Sequence, residues 1–331
     1  MDVLLTETAW RRFGDGLARV APDARPLRML DDGSIVAGPE GVSVEWDDAA
    51  PEVVWATADL FDEGAPLRPF FGFLRRCESM SWLQSPAAGV DAPVFAEVVR
   101  RGVRLTNAHV THIPIAEHVL RSVLAHYQQD HRWRAAQAER EWRRHDFREV
   151  HGTTWLVIGV GAIGGAVAER ARAFGAQVIG VRRRPSGDEP VDEMVGPDAV
   201  TAALPRADVV VLSAPATPDT ERMVDAGFLD AMKRASVLVN VGRGSLVDEE
   251  ALLEALDRGV PEVAVLDVTA TEPLPDDSPL WGHPSVVLTP HNAAGGTGRH
   301  ARLAELFLDN LARYRDGRPL HHEVTEGDLP D

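Results

Sequence analysis

The sequence is poor in several features that would assign a protein to a particular class. A single cysteine, Cys77, stands among 331 residues, which excludes an internal disulfide framework and a cysteine-rich metal site. We interpret Cys77 as a small buried residue. No apolar run approaches the roughly eighteen residues that a membrane-spanning helix needs, and the N-terminus lacks the basic segment and apolar stretch of a secretory signal. We therefore expect a soluble, cytoplasmic protein with no membrane partner.

Basic residues are also in short supply. The chain has 51 acidic and 34 basic side chains and a formal net charge of -17. A surface of this sign repels the phosphate backbone of nucleic acids, so the charge argues against nucleic acid as a partner. The remaining composition, 44% hydrophobic and 26% charged, is that of a globular protein, and the length indicates two domains.

From about residue 153, short apolar strands alternate with helices. Nearly continuous apolar strands separated by helices predict a parallel sheet that is covered on both faces. The predicted strands are 154–158, 177–181, 208–212, 237–240, 263–268 and 286–288, and the clearest helices are 164–174 and 248–259.

The first hundred residues have a more broken pattern. Apolar segments at Val53–Trp55, Met80–Leu83 and Val103–Leu105 alternate with turns that contain proline and glycine, which indicates a second, smaller α/β unit. Between the two units, residues 115–142 contain no glycine or proline, and their first half has apolar residues at helical spacing. We predict one long helix there.

A glycine-rich loop follows the first of the later strands. Gly159, Gly161 and Gly164 form a GxGxxG pattern between a strand and a helix. In this context the first glycine allows a tight turn, the second lets the backbone approach a pyrophosphate, and the third lets the helix pack on the strand. The helix N-terminus then faces the phosphates. The pattern alone is weak, but its position predicts dinucleotide binding rather than an ordinary turn.

Arginines stand where the acidic partner of this loop is expected. Arg182, eighteen residues after Gly164, follows the second strand, where an acid would bind the ribose 2'-hydroxyl of NAD. An arginine accommodates the 2'-phosphate of NADP instead. We predict that Arg182 binds that phosphate with help from Arg183 or Arg184, and that NADPH is preferred to NADH. The competing interpretation is a solvated basic turn.

Three further segments carry polar residues directly after sheet strands, where open α/β sheets place their sites. Each offers one residue suited to hydride transfer: Arg243, Glu272 and His291. Reduction of a ketone needs a cation that holds the substrate carboxylate and polarises the carbonyl, and an acid that protonates the alkoxide. Arg243 suits the first task through its bidentate fork, and His291 suits the second. A carboxylate such as Glu272 favours the protonated imidazole.

Each of these three residues also has a simpler interpretation. Arg243 could cap a helix, Glu272 could lie in solvent, and His291 could satisfy a buried turn. Because all three follow a dinucleotide loop in one chain, together they favour catalysis.

A chained set of motifs resembles the D-isomer-specific 2-hydroxyacid dehydrogenases over most of the chain. The motifs are SWLQSPAAGVD (81–91), IAEHVL (115–120), GVGAIG (159–164), TPDTERMVD (217–225), NVGRGSLVDEEALLEAL (240–256), LDVTATEPLP (266–275) with SPLW after it, and TPH (289–291). Their order along the chain makes the resemblance specific.

This resemblance implies a fold, an assembly and an activity. The fold class is α/β, with a doubly wound Rossmann parallel sheet, residues 101–292, inserted into a smaller flavodoxin-like α/β domain of residues 1–100 and 293–331. The active site is expected in the cleft between the domains, and the long helix region is expected to help form a homodimer. The implied reaction transfers a hydride from NAD(P)H to a small 2-oxoacid and gives a D-2-hydroxyacid.

The family's functional residues carry over position by position. By resemblance, Arg243 binds the substrate, His291 donates the proton and Glu272 is the partner of the histidine. Ala88 and Gly89 match a loop whose backbone N–H groups receive the substrate carboxylate. The residues that match cofactor contacts are Ala162, Ile163, Ala214, Pro215, Val241, Gly242 and Asp267.

Several of these positions leave alternatives open. Asp267 matches the acid that holds the nicotinamide carboxamide, but it could also be an ordinary strand-end residue. Arg182 replaces the usual acid, which resembles the NADPH-preferring glyoxylate and hydroxypyruvate reductases of the family. Ala214 is small, so its cofactor contact must use backbone or apolar atoms. Trp55, at the end of a strand, is expected either to shape the substrate pocket or to pack in the core.

Neighbouring members of the family fit the sequence less well. Formate dehydrogenases carry a glutamine where this chain has Glu272, and regulated phosphoglycerate dehydrogenases often carry an additional C-terminal domain. The expected substrate is therefore a general small 2-oxoacid. The sequence after the histidine, HNAAGG (291–296), differs from the commoner one, and His321 and His322 are expected to be solvated.

Two other function classes remain open. The family includes corepressors that bind a nicotinamide cofactor and recruit partners, so a dinucleotide-sensing interaction protein with little turnover is the main alternative. A metal-dependent enzyme that uses His109, His112 and His118 is a weaker one, because these residues lack a tight ligand set with a carboxylate. We predict that the protein holds no metal.

Overall fold

The structure is a computed structural model that describes residues 1–90, 92–325 and 327. Its β-strands are β1 (Asp2–Thr6), β2 (Arg25–Met29), β3 (Ile35–Ala37), β4 (Val42–Val44), β5 (Val53–Trp55), β6 (Trp82–Gln84), β7 (Arg104–Thr106), β8 (Thr154–Ile158), β9 (Gln177–Val181), β10 (Glu193–Val195), β11 (Val209–Leu212), β12 (Val237–Asn240), β13 (Val263–Leu266), β14 (Val286–Leu288) and β15 (Glu323–Val324). Its α-helices are α1 (Glu7–Val20), α2 (Leu67–Arg76), α3 (Pro93–Arg100), α4 (His112–Tyr127), α5 (Asp130–Ala138), α6 (Ala162–Ala173), α7 (Val200–Ala203), α8 (Ala226–Asp230), α9 (Glu249–Asp257) and α10 (Arg299–Arg315).

These elements form two compact units. The first unit consists of residues 1–110 and 297–331, and the second unit consists of residues 111–296. Strand β7 pairs with β6 and with β15, so the chain remains in the sheet of the first unit until it has passed residue 106. The second unit is therefore a single continuous stretch of chain inserted into the first.

The first unit contains an eight-stranded sheet in the order β15-β7-β6-β5-β1-β2-β3-β4. Its parallel strands β2-β1-β5-β6-β7 follow the flavodoxin-like order 2-1-3-4-5, and antiparallel pairing adds β3 and β4 at one edge and β15 at the other. Alternate residues of β1 point to opposite faces. Leu4 packs with α2 and α3, whereas Val3 and Leu5 pack with α1 and α10, so helices cover both faces.

The second unit contains a seven-stranded parallel sheet in the order β10-β9-β8-β11-β12-β13-β14. Counted from β8, this is the Rossmann order 3-2-1-4-5-6 with one further strand. Trp155 and Val157 pack with α4 and α6 on one face, and Leu156 and Ile158 pack with α8 and α9 on the other. The predicted α/β fold class, with a Rossmann sheet and a flavodoxin-like unit, is confirmed.

The strands predicted after residue 153 are all present and all lie in this sheet. Strands β8, β9, β12 and β14 have the predicted bounds, while β11 and β13 are one and two residues shorter. The sequence did not predict β10, an edge strand of three residues with no fully buried side chain. Its weak apolar pattern follows from its position, since an edge strand has one neighbour and less surface to bury.

The prediction of one long helix over residues 115–142 was wrong. The chain forms α4, turns at Gln129 with a φ of 53°, forms α5, and has no regular element over residues 139–149. Helix α4 buries eight residues, whereas α5 buries only Ala136. The polar second half has no apolar face to hold it in line with α4, so the absence of glycine and proline did not suffice for one continuous helix.

Trp55 belongs to the core of the first unit. Its ring is 2% exposed, stacks on Phe307 at 4.2 Å and contacts Phe13 at 5.9 Å. A ring that is covered on both sides by its own unit offers no surface to a substrate. This burial corrects the expectation that Trp55 shapes the substrate pocket and supports the core alternative. Within the described part of the chain, no helix is long and apolar enough to cross a membrane.

Candidate active site

The glycine loop lies at the carboxyl edge of the second unit's sheet, beside the switch point between β8 and β11. Gly159 has a φ of 96°, and a Cβ there would lie 2.5 Å from the backbone nitrogen of Ala214. A Cβ on Gly164 would lie 2.3 Å from the carbonyl oxygen of Gly159. The first and third glycines are therefore fixed by a left-handed turn and by close packing of α6 on the strand.

Gly161 differs from its two neighbours because it faces open space. Apart from its chain neighbours, no atom of the described residues lies within 4 Å of the position that a Cβ would take, and Gly161 is the N-cap residue of α6 without a side-chain capping bond. The space that a side chain would fill therefore lies directly at a helix N-terminus, whose N–H groups and dipole favour a phosphate. These features fit the pyrophosphate of a dinucleotide.

Two further loops come together against the glycine loop. The Ser213 hydroxyl donates to the carbonyl oxygen of Gly159 at 2.9 Å, and Ala214 is 8% exposed. A Cβ on Gly242 would lie 2.9 Å from the carbonyl oxygen of Ala214. The structure thus brings the predicted contacts after β8, β11 and β12 to one edge of the sheet, although their contact with a cofactor stays a prediction.

Arg243 stands in a turn that Asn240 organises at the end of β12. The fully buried Asn240 side chain accepts from the Gly242 N–H at 3.1 Å and donates to the carbonyl oxygen of Arg243 at 2.9 Å. Arg243 is half-buried and donates to the carbonyl oxygen of Gly242 through Nη1 at 2.9 Å. The turn fixes the backbone from which the guanidinium extends.

Gly244 brings the arginine turn against the segment that carries Glu272. A Cβ on Gly244 would lie 2.0 Å from the carbonyl oxygen of Thr269. This close backbone approach connects the loop after β12 to the loop after β13. The Ala270 N–H donates to the Glu249 carboxylate of α9 at 2.7 Å, which ties the same segment to the first turn of that helix.

His291 and Glu272 form a hydrogen-bonded pair. His291 Nδ1 lies 2.7 Å from Glu272 Oε2, and the other carboxylate oxygen accepts from the Thr269 N–H at 3.2 Å. The imidazole side chain is 52% exposed, and its Nε2 has no hydrogen-bond partner among the described residues. This arrangement holds one ring nitrogen on a carboxylate and leaves the other available to a ligand.

Asp267 fixes the loop that carries His291. Its carboxylate, 4% exposed, accepts from the Thr289 hydroxyl at 2.6 Å and from the N–H groups of Asn292 and Ala293 at 2.9 and 3.0 Å. The His291 N–H donates to the Asp267 carbonyl oxygen at 2.8 Å. Asp267 therefore acts as a loop anchor in this structure, and its contact with a nicotinamide carboxamide stays a prediction.

Helix α4 adds a histidine to the same region. His118 Nε2 lies 3.5 Å from the Thr289 hydroxyl. Burial lowers the pKa of His118, while the nearby Asp267 carboxylate acts in the opposite direction. The neutral form of His118 is therefore favoured, and its contact with Thr289 supports the loop.

The arginine cluster after β9 contains an acid that the sequence patterns did not reveal. Val181 pairs with Ile158, so Arg182 begins its loop at the same sheet edge as Gly159. Arg182 Nη1 donates to Glu189 Oε1 at 2.7 Å, and Arg183 lies 3.8 Å from the Asp219 carboxylate. The Arg182 side chain is 39% exposed, so the cluster is neither buried nor a freely solvated turn.

The loop after β6 in the first unit contains the predicted carboxylate-binding residues. Asn107 Nδ2 donates to the Ala88 carbonyl oxygen at 2.8 Å, and the Ala108 N–H donates to the Ala87 carbonyl oxygen at 2.9 Å. With these carbonyl oxygens turned toward β7, the N–H groups of Ala88 and Gly89 donate to none of the described residues. Asp91, the last residue of this motif, lies outside the described residues.

The histidines outside this site have structural contacts. His321 Nε2 lies 2.8 Å from the Asp309 carboxylate, and the His322 ring packs edge-on to His109 at 4.8 Å. Within the described ranges, no group of three or more histidine, cysteine or acidic side chains could hold a metal ion.

Three supporting residues were not predicted from the sequence. Asn240 directly precedes the VGRG segment, and a short amide at the end of a buried strand could have indicated its turn. Asn107 and Glu189 bind residues that lie 19 and 7 positions earlier in the chain, and no local pattern reports such contacts. Their roles became visible only through the fold.

Comparisons with known proteins identify the family. The profile of the D-isomer specific 2-hydroxyacid dehydrogenase NAD binding domain matches residues 120–293, slightly more than half of the chain. The chain belongs to this family. The second unit is therefore a nicotinamide-dinucleotide-binding domain, and the chain is related to NAD(P)-dependent reductases of 2-hydroxyacid metabolism in general.

Curated relatives and solved structures agree with this family. The chain is 33% identical over 246 residues to the glyoxylate reductase of Korarchaeum cryptofilum, an alignment that covers 70% of this chain and 72% of the relative. It spans half the length of the Methanocaldococcus jannaschii D-3-phosphoglycerate dehydrogenase, to which it is 30% identical over 78% of its own residues.

Two solved members of the family share the fold over almost the whole chain. A family protein from Aeromonas salmonicida has a TM-score of 0.80 and 30% identity over 98% of each chain. The NADPH-dependent glyoxylate/hydroxypyruvate reductase of Sinorhizobium meliloti, solved with NADP and sulfate, has a TM-score of 0.74 and 26% identity over 99% of this chain and 98% of that one.

Proposed function

We propose that this protein reduces a small 2-oxoacid to the D-2-hydroxyacid and prefers NADPH to NADH. The observation that carries the proposal is the His291–Glu272 pair, in which Nδ1 is held at 2.7 Å and Nε2 is free of partners among the described residues. A general acid needs a fixed orientation and one open donor position, and this pair supplies both.

His291 is the proposed proton donor. The Glu272 carboxylate orients the ring through Nδ1, so Nε2 is the ring nitrogen that can give a proton to the developing alkoxide oxygen. Asp267 contributes indirectly, because it holds the backbone on both sides of the histidine.

Arg243 is the proposed substrate-binding residue. Its guanidinium can hold the substrate carboxylate with one edge and polarise the carbonyl oxygen, which lowers the free energy of the charge that develops there. In the first unit, we propose that the N–H groups of Ala88 and Gly89 receive the substrate carboxylate. The support is that Asn107 turns the Ala88 carbonyl oxygen away and leaves those N–H groups without partners among the described residues.

The dinucleotide is proposed to bind along the carboxyl edge of the second unit's sheet. The open position at Gly161 suits the pyrophosphate, and the bound nicotinamide would supply the hydride. The remaining proposed contacts lie in the surrounding loops and in the first turn of α6, namely Ala162, Ile163, Ala214, Pro215, Val241, Gly242 and Asp267.

Arg182 and Arg183 support a preference for NADPH. Arg182 stands at the end of β9, where an acid would bind the ribose of NAD, and Arg184 beside them adds a third positive charge. The Sinorhizobium reductase, whose fold this chain shares, is NADPH-dependent and was solved with NADP. This likeness supports the same preference here.

Two related proteins guide the choice of substrates. A glyoxylate reductase and a glyoxylate/hydroxypyruvate reductase are among the similar proteins, so we propose a substrate of that size. The test is to follow NADPH and NADH oxidation separately with glyoxylate, hydroxypyruvate, pyruvate and phenylpyruvate. We expect turnover with at least one small oxoacid and a higher kcat/KM with NADPH.

The same assays separate this proposal from the sensor alternative. Tight binding of both cofactors without turnover of any oxoacid would contradict the reductase and support a dinucleotide-sensing interaction protein. Turnover that is faster with NADH would leave the reductase in place and contradict only the cofactor preference.

We further propose that the protein forms a homodimer through α5 and residues 139–149. Trp142 is 93% exposed and Phe147 is 47% exposed, while Trp133 on α5 packs against Phe147 at 5.8 Å. Trp133 and Trp142 line a concavity of about 890 Å³ whose other walls are formed by residues 136–137, 140–141 and 143–146. An exposed tryptophan beside a concavity is typical of a surface that another chain covers.

A further inference from the structure

The loop between β9 and β10 encloses an acidic side chain within a cluster of arginines. Most of residues 182–189 are exposed, but the Glu189 side chain is only 6% exposed. Arg182 begins the loop and Glu189 lies seven residues later, so the contact between the two side chains closes this part of the loop upon itself. A solvated basic turn would not need such a closure.

Glu189 accepts hydrogen bonds from four donors of this loop. Oε1 accepts from the Ser186 N–H at 2.7 Å, from the Ser186 hydroxyl at 2.9 Å and from Arg182 Nη1 at 2.7 Å. Oε2 accepts from the Gly187 N–H at 2.9 Å, and Gly187 has a φ of 93°. The carboxylate thus fixes both the left-handed turn at Gly187 and one nitrogen of the guanidinium.

The contacts of Arg182 are confined to one part of its guanidinium. Nη1 donates to Glu189 and, at 3.2 Å, to the Ser186 hydroxyl. In the described part of the chain, Nε and Nη2 have no hydrogen-bond partner. The donors that remain form the edge that recognises a phosphate or carboxylate in bidentate fashion.

Glu189 stays charged in this environment. The Ser186 N–H, followed by the Ser186 hydroxyl and the Gly187 N–H, lowers the pKa of Glu189 to about 2. The Glu189 charge therefore faces Arg182 at every pH at which the protein would work. The other charges of the loop are Arg183, whose nearest acid is Asp219, with Arg184 and Asp188, both exposed.

We propose that Glu189 is a positioning residue for cofactor discrimination: it holds Arg182 by Nη1 so that Nε and Nη2 face the 2'-phosphate of NADPH. This inference rests on the proposed preference for NADPH. The opposite role would be to weaken NADPH binding, because the negative charge of a carboxylate beside the guanidinium repels a phosphate. The two roles predict opposite signs when Glu189 is removed.

The experiment is calorimetric titration with adenosine 2',5'-bisphosphate and with adenosine 5'-monophosphate, which differ only in the 2'-phosphate. For the unmodified protein we expect the bisphosphate to bind at least tenfold more tightly. Glu189→Ala should weaken the bisphosphate by roughly five- to thirtyfold, because Arg182 loses its anchor, and leave the monophosphate unchanged. Glu189→Gln, which can still accept the Ser186 bonds, should lose less.

Asp188→Ala is the matched control. Asp188 is the exposed neighbour of Glu189 and makes no hydrogen bond or ion pair with the described residues, so its removal takes the same charge from the same loop without removing an anchor. We expect bisphosphate affinity to stay equal or to rise slightly. In a Glu189→Ala/Arg182→Ala double variant, the loss should match that of Arg182→Ala alone, because Glu189 acts through Arg182.

The outcomes separate this inference from the proposed function. If Glu189→Ala binds the bisphosphate equally well or more tightly, the positioning role is wrong while the NADPH preference stands. If the losses of Glu189→Ala and Arg182→Ala add independently, Glu189 does not act through Arg182, and the inference is again wrong. If the unmodified protein does not distinguish the two ligands, the inference and the NADPH preference both fail.

Discussion

His291 has a backbone conformation that few residues other than glycine adopt. Its φ of 49° lies in the left-handed region, and the surrounding loop is held by the buried Asp267 carboxylate. Such a conformation persists only where neighbouring contacts impose it, and it concentrates at functional sites. The Asp267 carboxylate therefore holds the loop that presents the proposed proton donor to Glu272.

Replacement of His291 tests the proposed acid. His291→Ala should lower kcat for oxoacid reduction by about 10²- to 10⁴-fold, the usual contribution of a general acid, while NADPH binding stays unchanged. Glu272→Gln keeps the shape of the side chain but removes its charge. We expect it to lower kcat less than His291→Ala does, because the proposed proton donor stays in place while the neutral amide holds Nδ1 less firmly than the carboxylate. Steady-state rates and a fluorescence titration of NADPH measure both effects, and an unchanged kcat in His291→Ala would remove the assignment.

The glycine loop offers a matched pair of substitutions. Gly161→Ala places its methyl group in open space, so we expect unchanged thermal stability but at least tenfold weaker dinucleotide binding. Gly164→Ala places the same methyl group 2.3 Å from the Gly159 carbonyl oxygen, so it should lower the Tm as well. Thermal unfolding and NADPH titration distinguish them. Normal NADPH affinity in a folded Gly161→Ala variant would show that the pyrophosphate does not bind there.

At the scale of elements, α10 is connected to the first unit's candidate substrate loop by a chain of side-chain amide hydrogen bonds. Asn310 on α10 is fully buried, donates to Gln84 Oε1 at 3.1 Å and accepts from the His321 N–H at 2.8 Å. Gln84 ends β6, and its Nε2 donates to the Ser85 carbonyl oxygen at 3.0 Å. One amide therefore connects the helix, the strand before the loop and the segment that leads to β15.

Replacement of Asn310 tests this connection. Asn310→Leu keeps a similar volume but leaves the partly buried His321 N–H without its acceptor, so we expect a loss of about 1–3 kcal/mol in the free energy of unfolding. Glu305→Leu, on an exposed position of the same helix, is the control and should change stability by less than about 0.5 kcal/mol. Urea unfolding followed by tryptophan fluorescence measures both. Equal stability of the two variants would mean that the Asn310 amide contributes little to the free energy of unfolding.

At the scale of the whole molecule, two α/β units follow the same construction. Each places parallel strands at the centre, covers both faces with helices and brings its candidate residues to the loops after the strands. The formal charge of -17 is carried by the surfaces of both units, whereas the candidate sites concentrate Arg182, Arg183 and Arg243. Such local positive charge within an acidic protein favours small anions over polyanions.

The proposed dimer is tested by the most exposed aromatic residue. Trp142→Ala should raise the dimer dissociation constant by roughly thirtyfold, because a buried interface tryptophan commonly contributes about 2 kcal/mol. Phe174→Ala, at the end of α6 and 49% exposed, is the control and should leave association unchanged. Sedimentation velocity over a range of concentrations gives the constant. A monomer in the unmodified protein would contradict the proposal directly.

The sequence by itself determined six of the seven strands of the second unit, the glycine loop and the resemblance to the family. These features are local: apolar runs of four or five residues are buried on both faces, and Gly159, Gly161 and Gly164 lie within six consecutive residues. A pattern confined to neighbours along the chain can be interpreted without knowledge of the tertiary contacts. The same local reasoning did not predict the break at Gln129, because the break depends on which surfaces α4 and α5 pack against.

Only the tertiary structure decided which residues support the candidate site. Asn107 and Asp267 bind backbone groups that lie 19 and 26 residues away, and Glu189 binds the Arg182 side chain seven residues away. Trp55 is buried against Phe307, which is 252 positions distant. A hydrogen bond or a ring stack depends on the distance and the relative orientation of two groups in space. The spacing of residues along a chain does not specify either quantity.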